Sequence, residues 1–439
     1  MKKDKILFFY FFLLVPIKVY AQTFPQIDFT PPIIPAQTTN TDTQTVEFPQ
    51  QTLPQFQQVP DITEDEIRDE INPLVKAYLD STGRPQSLLD PATKAFSYLI
   101  IGGDKGLDLF SLDEIKEILQ NPATPEIENY LTQFLGKFDI TDKDDVANLA
   151  AWAGLFSTVS HSLKKLNLEN TLDRTILNNL ASLITVDKQY TLNEITTILE
   201  DENFKTLKDY LTQFLGTEID LTTKDDVAKL IAWTGLYKFV SAFLGRELNF
   251  QNRNDQKILF NFSSLVATDK TYTLNEVKHI LADRNTKQLE AALAKFLGKD
   301  SLNLTSRSDV VILSHFASLT TTGTYSLNEI NAILTNENTE NIETILAHFL
   351  NKSEIALTDK EEVTILAYLV SFITARGYTL GDIETFINNL SSLVNEGIYS
   401  LQEVKTILSN SDLPNLETPI AEMMDKPELD LTRQEDVDF

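Results

Sequence analysis

Cysteine is absent from all 439 residues. Its absence removes disulfides, Cys-ligated zinc, iron–sulfur clusters, a thiol nucleophile and the lipid-modified cysteine of a lipoprotein leader. Histidine is nearly absent: His161, His279, His315 and His348 are the only four, no two of them form an i, i+4 pair, and no HExxH occurs. Each reads as a helix-surface or partly buried residue. No phosphate loop, nucleophile elbow or kinase phrase is present, and Gly102-Gly103 lacks the strand and third glycine of a dinucleotide loop. Basic residues are outnumbered, 37 Lys and Arg against 64 Asp and Glu, for a net charge of −27. Such a surface repels nucleic acid and anionic lipid, so neither is expected as a direct partner. It suits a solvated exterior, a cationic partner or diffuse attraction of divalent cations.

What is present starts with a leader. Lys2, Lys3 and Lys5 precede the apolar run Ile6 to Leu14, and Val19-Tyr20-Ala21 offers a cleavage site before Gln22. This is the layout of a secretory signal peptide over 1–21. Its apolar run is too short for a comfortable membrane span, and no later run reaches about eighteen apolar residues. The mature chain is therefore expected outside the cytoplasm, in the periplasm, secreted or at the cell surface, with no membrane span. The leader carries four lysines against Asp4, so the mature chain is more acidic still, near −30. Residues 22–60 then hold seven of the sixteen prolines, many Gln and Thr, and no Lys or Arg. Proline at that density removes backbone donors and favours extended chain. This zone reads as a disordered linker reaching at most roughly 120 Å at ~3.1 Å per residue. Phe24, Phe29, Phe48 and Phe56 make a docking motif within it the alternative.

From Asp61 the apolar rhythm takes a period of 3.6. Residues 61–109 read as an N-terminal helical cap, and 110–439 as tandem repeats. One phrase recurs with an aromatic at its head: Phe110 (FSLDEIKEIL), Tyr190 (YTLNEITTIL), Tyr272 (YTLNEVKHIL), Tyr325 (YSLNEINAIL) and Tyr399 (YSLQEVKTIL), with a weaker copy at Tyr378 (YTLGDIETFI). A second phrase follows at Phe134-Leu135-Gly136, Phe214-Leu215-Gly216, Phe296-Leu297-Gly298 and Phe349-Leu350-Asn351, and a third near Thr141, Thr222, Thr305, Thr358 and Thr432. The fold class expected is all-α: a solenoid-like or multi-bundle array of helix–turn–helix units starting near 110, 190, 272, 325 and 378 or 399. The chain ends at Phe439 shortly after the third phrase, so the last unit reads as cut short.

The first phrase has a physical reason. Thr273 is a natural N-cap and Glu276, three residues on, completes a capping box; Tyr272 just outside can pack on Val277. Ser111 with Glu114, Thr191 with Glu194, Ser326 with Glu329 and Ser400 with Glu403 repeat the arrangement. Thr358 with Glu361 and Thr432 with Glu435 are expected to cap the third helix in the same way. The glycine after each Phe-Leu pair suits a left-handed C-cap. The first two units are longer, and the extra length is assigned to a helical segment containing Trp152 or Trp233, both read as core.

The segment Leu357 to Ile387 (LTDKEEVTILAYLVSFITARGYTLGDIETFI) has a capped incoming helix, a tight loop, an apolar residue, then Thr and an acid three residues on. In this it resembles an EF-hand helix–loop–helix. Val363 stands 19 residues before Asp382 and Val310 stands 19 before Glu329, which is that family's spacing. Similar halves occur at 257–281, 311–334 and 385–408. The resemblance implies paired helix–loop–helix units and a divalent cation held by loop oxygens. Counting back from Glu329 gives Ser318, Thr320, Thr322 and Gly323; counting back from Glu403 gives Ser392, Val394, Glu396 and Gly397. Before Glu194 and Glu276 the first loop position is Leu183 or Leu265. The candidate metal oxygens are thus Glu329, Thr322, Glu396 and Glu403. Each loop offers one or two anionic oxygens where such a cation wants several, so no cofactor is expected, with calcium as the alternative.

Carboxylates also cluster at Asp142-Asp144-Asp145, Asp225-Asp226 and Glu361-Glu362. A glycosidase needs two carboxylates at controlled separation. These acids recur unit after unit in first turns of helices, where the positive end of the helix dipole explains them. No catalytic residue is therefore assigned. The function expected is an exported, non-catalytic scaffold or binding module for a protein or another partner in the cell envelope. The alternatives are a divalent-cation binder of EF-hand type and an envelope-glycan hydrolase using paired carboxylates such as Asp144 or Asp225.

Overall fold

Residues 63–101, 109–163, 165–410, 413–424, 426 and 429–437 are described by a computed structural model, and every regular element among them is helical. They belong to one contact-linked unit, Phe56–Phe439. The expected leader and the expected linker lie outside the described residues.

The array opens with α1 (Glu64–Ser81), which starts on a capping box of Thr63 and Glu66, and α2 (Leu89–Ile100). The first unit follows as α3 (Leu112–Gln120), α4 (Thr124–Leu135), α5 (Lys143–Ser162) and α6 (Thr171–Thr185). The second repeats it as α7 (Leu192–Glu200), α8 (Phe204–Leu215), α9 (Lys224–Leu244) and α10 (Arg253–Ala267). The third has three helices only: α11 (Leu274–Ala282), α12 (Arg284–Phe296) and α13 (Arg307–Thr321). The fourth returns to four: α14 (Leu327–Thr335), α15 (Thr339–Phe349), α16 (Lys360–Arg376) and α17 (Leu380–Asn395). Then come α18 (Leu401–Leu408), α19 (Leu413–Met423) and the single turn α20 (Gln434–Val437). The copy at Tyr378 is thus the fourth helix of a unit and not the start of one.

Two of the length assignments need correction. Trp152 and Trp233 sit in α5 and α9, the third helices themselves, where both are fully buried. The helices that lengthen the first two units are α6 and α10, capped by Asn170 and Asn252. The third unit is short because α13 does two jobs. It receives α10 as a third helix would, and it packs on α16 as a fourth helix would. Elsewhere those roles are divided, with α2 on α5, α6 on α9 and α17 on α20.

Each long third helix is the strut of its unit. α5 packs on α2, α3 and α4 behind it and on α6 and α7 ahead; α9 does the same among α6, α7, α8, α10 and α11. Among the described residues α9 is the one helix long and apolar enough to cross a membrane, and it is enclosed by those neighbours. One apolar core runs from Ile67 to Leu431. Because each unit buries its face only by stacking on the next, stability is shared across junctions.

The junctions are close. The backbone N–H of Leu192, at the first position of α7, donates to Leu109 O at 3.3 Å, and that of Leu274, opening α11, donates to Gln189 O at 3.0 Å. First-turn N–H groups have no partner within their own helix, and here the residue just before the head aromatic of the preceding unit supplies one. Gly154 and Gly235 make room for that approach. A Cβ on Gly154 would fall 2.5 Å from Leu192 Cδ2, and one on Gly235 would fall 2.9 Å from Ile198 Cδ1 and 3.0 Å from Leu274 Cδ2. At the helix ends, Gly136 and Gly216 adopt the left-handed C-cap at φ 81° and 72°, as the Phe-Leu-Gly phrase predicts.

Overpacking a filled core costs about 1–3 kcal/mol. Gly235→Val is expected to lower the stability of the array by that amount in urea unfolding, with the largest loss of amide protection in α9 and α11.

Candidate functional site

The hydroxyl–acid pairs of the first recurrent phrase are helix caps in all five of its copies. Glu114 N donates to Ser111 Oγ at 3.2 Å, and the Glu114 carboxylate accepts from the Ser111 N–H and Oγ. Thr191 with Glu194, Thr273 with Glu276, Ser326 with Glu329 and Ser400 with Glu403 close the same reciprocal box, and Thr379 with Asp382 adds another at α17. The N–H and hydroxyl of Ser400 hold the Glu403 carboxyl below its ordinary range. The carboxylates of Glu329 and Glu403 are therefore occupied at helix ends.

The remaining cation candidates do not gather around them. Ser318 and Thr320 lie inside α13, where their hydroxyls donate to His315 O and Ala317 O, and Thr322 Oγ1 donates back to Ser318 O at 2.9 Å. Glu396 is the C-cap residue of α17. Among the described residues no group of three or more His, Asp or Glu is placed to share a metal ion.

The clustered acids have a second structural use that the sequence reading missed. In the loop before a third or fourth helix, a backbone N–H reaches forward six residues to a carboxylate in the helix's first turn. Asp139 donates to Asp145, Asn167 to Asp173, Asp220 to Asp226, Asn249 to Asp255, Asn303 to Asp309, Ala356 to Glu362 and Asp430 to Asp436. In six of these loops the side chain of the first residue also accepts the N–H two residues on, as from Thr141 to Asp139 at 2.9 Å. The expected caps Thr358 and Thr432 are corrected accordingly. Asp359 caps α16, Glu362 and not Glu361 reaches back, and Thr432 lies in the loop, bound to Asp430. In four of these loops a cation two or three residues past the preceding helix end joins the carboxylate: Arg246 on Asp255, Lys299 on Asp309, Lys352 on Glu362 and Lys426 on Asp436. Burial pushes the Asp309 carboxyl up, but Lys299 and the Asn303 N–H outweigh that and hold it below its ordinary range.

His315 is explained by another row. The phrases NLASL, NFSSL, HFASL and NLSSL place Asn179, Asn261, His315 and Asn389 at one helical position. Each donates an N–H to a carbonyl of a later loop 42 or 43 residues on: Leu221 O at 3.2 Å, Leu304 O at 3.0 Å, Thr358 O at 3.0 Å and Leu431 O at 3.4 Å. A carbonyl only accepts, so His315 Nε2 carries the proton and Nδ1 accepts from Tyr272 Oη at 2.7 Å. Burial, aided by the Lys360 charge, holds the His315 pKa below its ordinary value against the opposing pull of Thr358 and Asp359. The imidazole is neutral and both nitrogens are committed.

His315 also borders an open cleft of about 780 Å³ between α13 and α16, rimmed by Asp269, Arg307, Thr358 and Lys360. Arg307 is paired with Asp269, and Lys360 Nζ stands 4.3 Å from the Tyr272 ring centre. Smaller clefts occur where α7, α9 and α11 meet and within the first unit beside α4 and α5.

Two outcomes follow. Asp309→Ala removes a buried charge-assisted bond to Asn303 and Lys299, and is expected to cost about 1.5–3 kcal/mol in chemical unfolding. For His315 the pKa is depressed on folding, so its contribution is complete above the unfolded value near 6.5 and is lost as pH falls below it, with a slope of at most about 1.4 kcal/mol per pH unit. His315→Asn restores the residue used in the other units. It should fold at pH 7 and flatten this acid limb, whereas His315→Ala should lose about 1–3 kcal/mol at neutral pH. No protein-family model, curated protein or solved structure matches the chain.

Proposed function

We propose that this chain is an exported binding module that works by presenting clefts between stacked helical units, and that it is not a catalyst. The observation that carries the reading is where the polar chemistry goes. The capping acids, the forward-reaching carboxylates and His315 are each committed to a backbone or side-chain partner within the fold. A catalytic carboxylate or imidazole needs a free face toward its substrate. Binding needs only shape and rim chemistry, and a rigid array supplies both.

The basic and apolar segments of 1–21 support export, and the Pro-rich 22–60 supports a tether that holds the array at a distance from its point of attachment. The net charge of −27 supports a partner whose contact face is basic or uncharged. The acids Asp144 and Asp225 lie exposed in the first turns of α5 and α9, where the helix dipole favours a negative charge.

The reading is tested in two steps. Protein recovered from the extracytoplasmic fraction should begin at Gln22 on N-terminal sequencing; intact Met1 in the cytosol removes the export half. Chemical cross-linking of the full mature chain in an envelope fraction should enrich a saturable partner that excess unlabelled protein competes away. Hydrolysis of envelope glycans by purified protein, abolished by Asp144→Asn or Asp225→Asn, would replace binding with catalysis.

A further inference from the structure

The first two units are close copies, so the places where they differ separate what the fold needs from what it does not. At the junction of α7, α9 and α11 the second unit carries residues that are more polar or more charged than those of the first. Thr234 stands where the first unit has Ala153, Tyr237 where it has Phe156, Lys238 where it has Ser157, and Asp201 where it has Asn121. Lys278, at the head of the third unit, stands where the second has Thr196. All of the second-unit residues and Lys278 line one cleft of about 240 Å³. The first junction stacks without them, so packing alone does not require them.

They are also costly. Thr234 is 3 % exposed and its hydroxyl has no hydrogen-bond partner among the described residues. A buried hydroxyl left unpaired costs about 1–3 kcal/mol, and Ala153 shows that this helix position works without one. Lys278 and Glu194 form a mostly covered ion pair at 2.9 Å. Lys238 Nζ binds Asp201 at 2.8 Å, and Asn203 Nδ2 donates to the Tyr237 hydroxyl at 3.0 Å. Burial and the Asp201 charge push the Tyr237 pKa up, so its hydroxyl stays protonated.

We infer that this cleft binds a neutral polyhydroxylated ligand, one sugar residue in size. Its volume falls below the roughly 300–1,000 Å³ of sites for drug-sized molecules. Two carboxylates and two ammonium groups cancel, so an ionic ligand gains no net attraction. A sugar hydroxyl both donates and accepts, so it can donate to a carboxylate oxygen and accept from the ammonium paired beside it. The Phe239 and Tyr237 rings and Ile198 supply the apolar wall against which a pyranose C–H face packs. The inference rests on the reading of the chain as a binding module and names the ligand class for one of its clefts.

The test uses the full mature chain with glucose, galactose, mannose and N-acetylglucosamine, as free sugars and as the ends of their oligosaccharides, observed by saturation-transfer NMR and calorimetry. Saturable binding of at least one neutral sugar is expected; tighter binding of the oligosaccharide than of its free sugar identifies a glycan end as the source. Thr234→Ala and Tyr237→Phe install the residues of the sister unit, so both should fold, and Thr234→Ala should raise Tm. Together they should weaken binding by about tenfold or more, which corresponds to about 1.4 kcal/mol. Silence with every neutral sugar, preference for a uronic acid, or affinity unchanged in the double variant overturns the inference. If sugars fail while an envelope partner is still captured, the ligand class falls and the binding module stands.

Discussion

A helix begins with several N–H groups that its own backbone cannot satisfy, and an array of twenty short helices among the described residues meets that demand many times over. In this chain a side-chain oxygen answers at many of these starts, the hydroxyl of a capping box or the carboxylate of Asp142, Asp283 or Asp359. The capping boxes turn an acid back onto its own helix start, and the forward-reaching Asp and Glu pin the loop six residues upstream. Each such bond also sets the angle at which the chain enters the helix, and with it which face meets the core. These helix starts add a recurrent share of the protein's negative charge.

Stacking then links one start to the next. α5 and α9 press the glycines of their AWAG and AWTG phrases against Leu192 and Leu274, and those leucines donate their N–H groups to Leu109 and Gln189, each just before the head aromatic of the preceding unit. The Asn179, Asn261, His315 and Asn389 row ties each fourth helix, or α13 in its place, to the loop of the unit ahead. Packing and hydrogen bonding thus bridge the same junctions, and the clefts between units are by-products of that geometry. Where a cleft carries polar residues that a sister cleft lacks, as around Thr234, something other than stacking accounts for them.

Much of this was legible beforehand because it is local. A hydroxyl followed three residues later by an acid caps a helix whatever surrounds it, so Ser111 to Glu114 and Ser400 to Glu403 could be placed from spacing alone. Gly136 and Gly216 were equally readable, since a left-handed residue is the ordinary way to stop a helix. The errors came where two local solutions compete. Thr358 looked like a cap, yet its neighbour Asp359 has the better acceptor, and Glu362 outreaches Glu361 because only it points back toward Ala356. The tryptophans were assigned to an added segment because helix boundaries inside an apolar run carry no punctuation.

The sequence by itself determined the class of fold, the capping boxes of the first recurrent phrase and the charge of the surface. Each of these depends on residues within a few positions of one another. Only the tertiary structure decided that α13 serves as third and fourth helix at once, that His315 takes the place of an asparagine, and that Thr234, Tyr237 and Lys278 border one cavity. Those relations join residues 40 or more positions apart, and no local rule of periodicity or capping reaches across that distance; only the stacking of whole units brings them together.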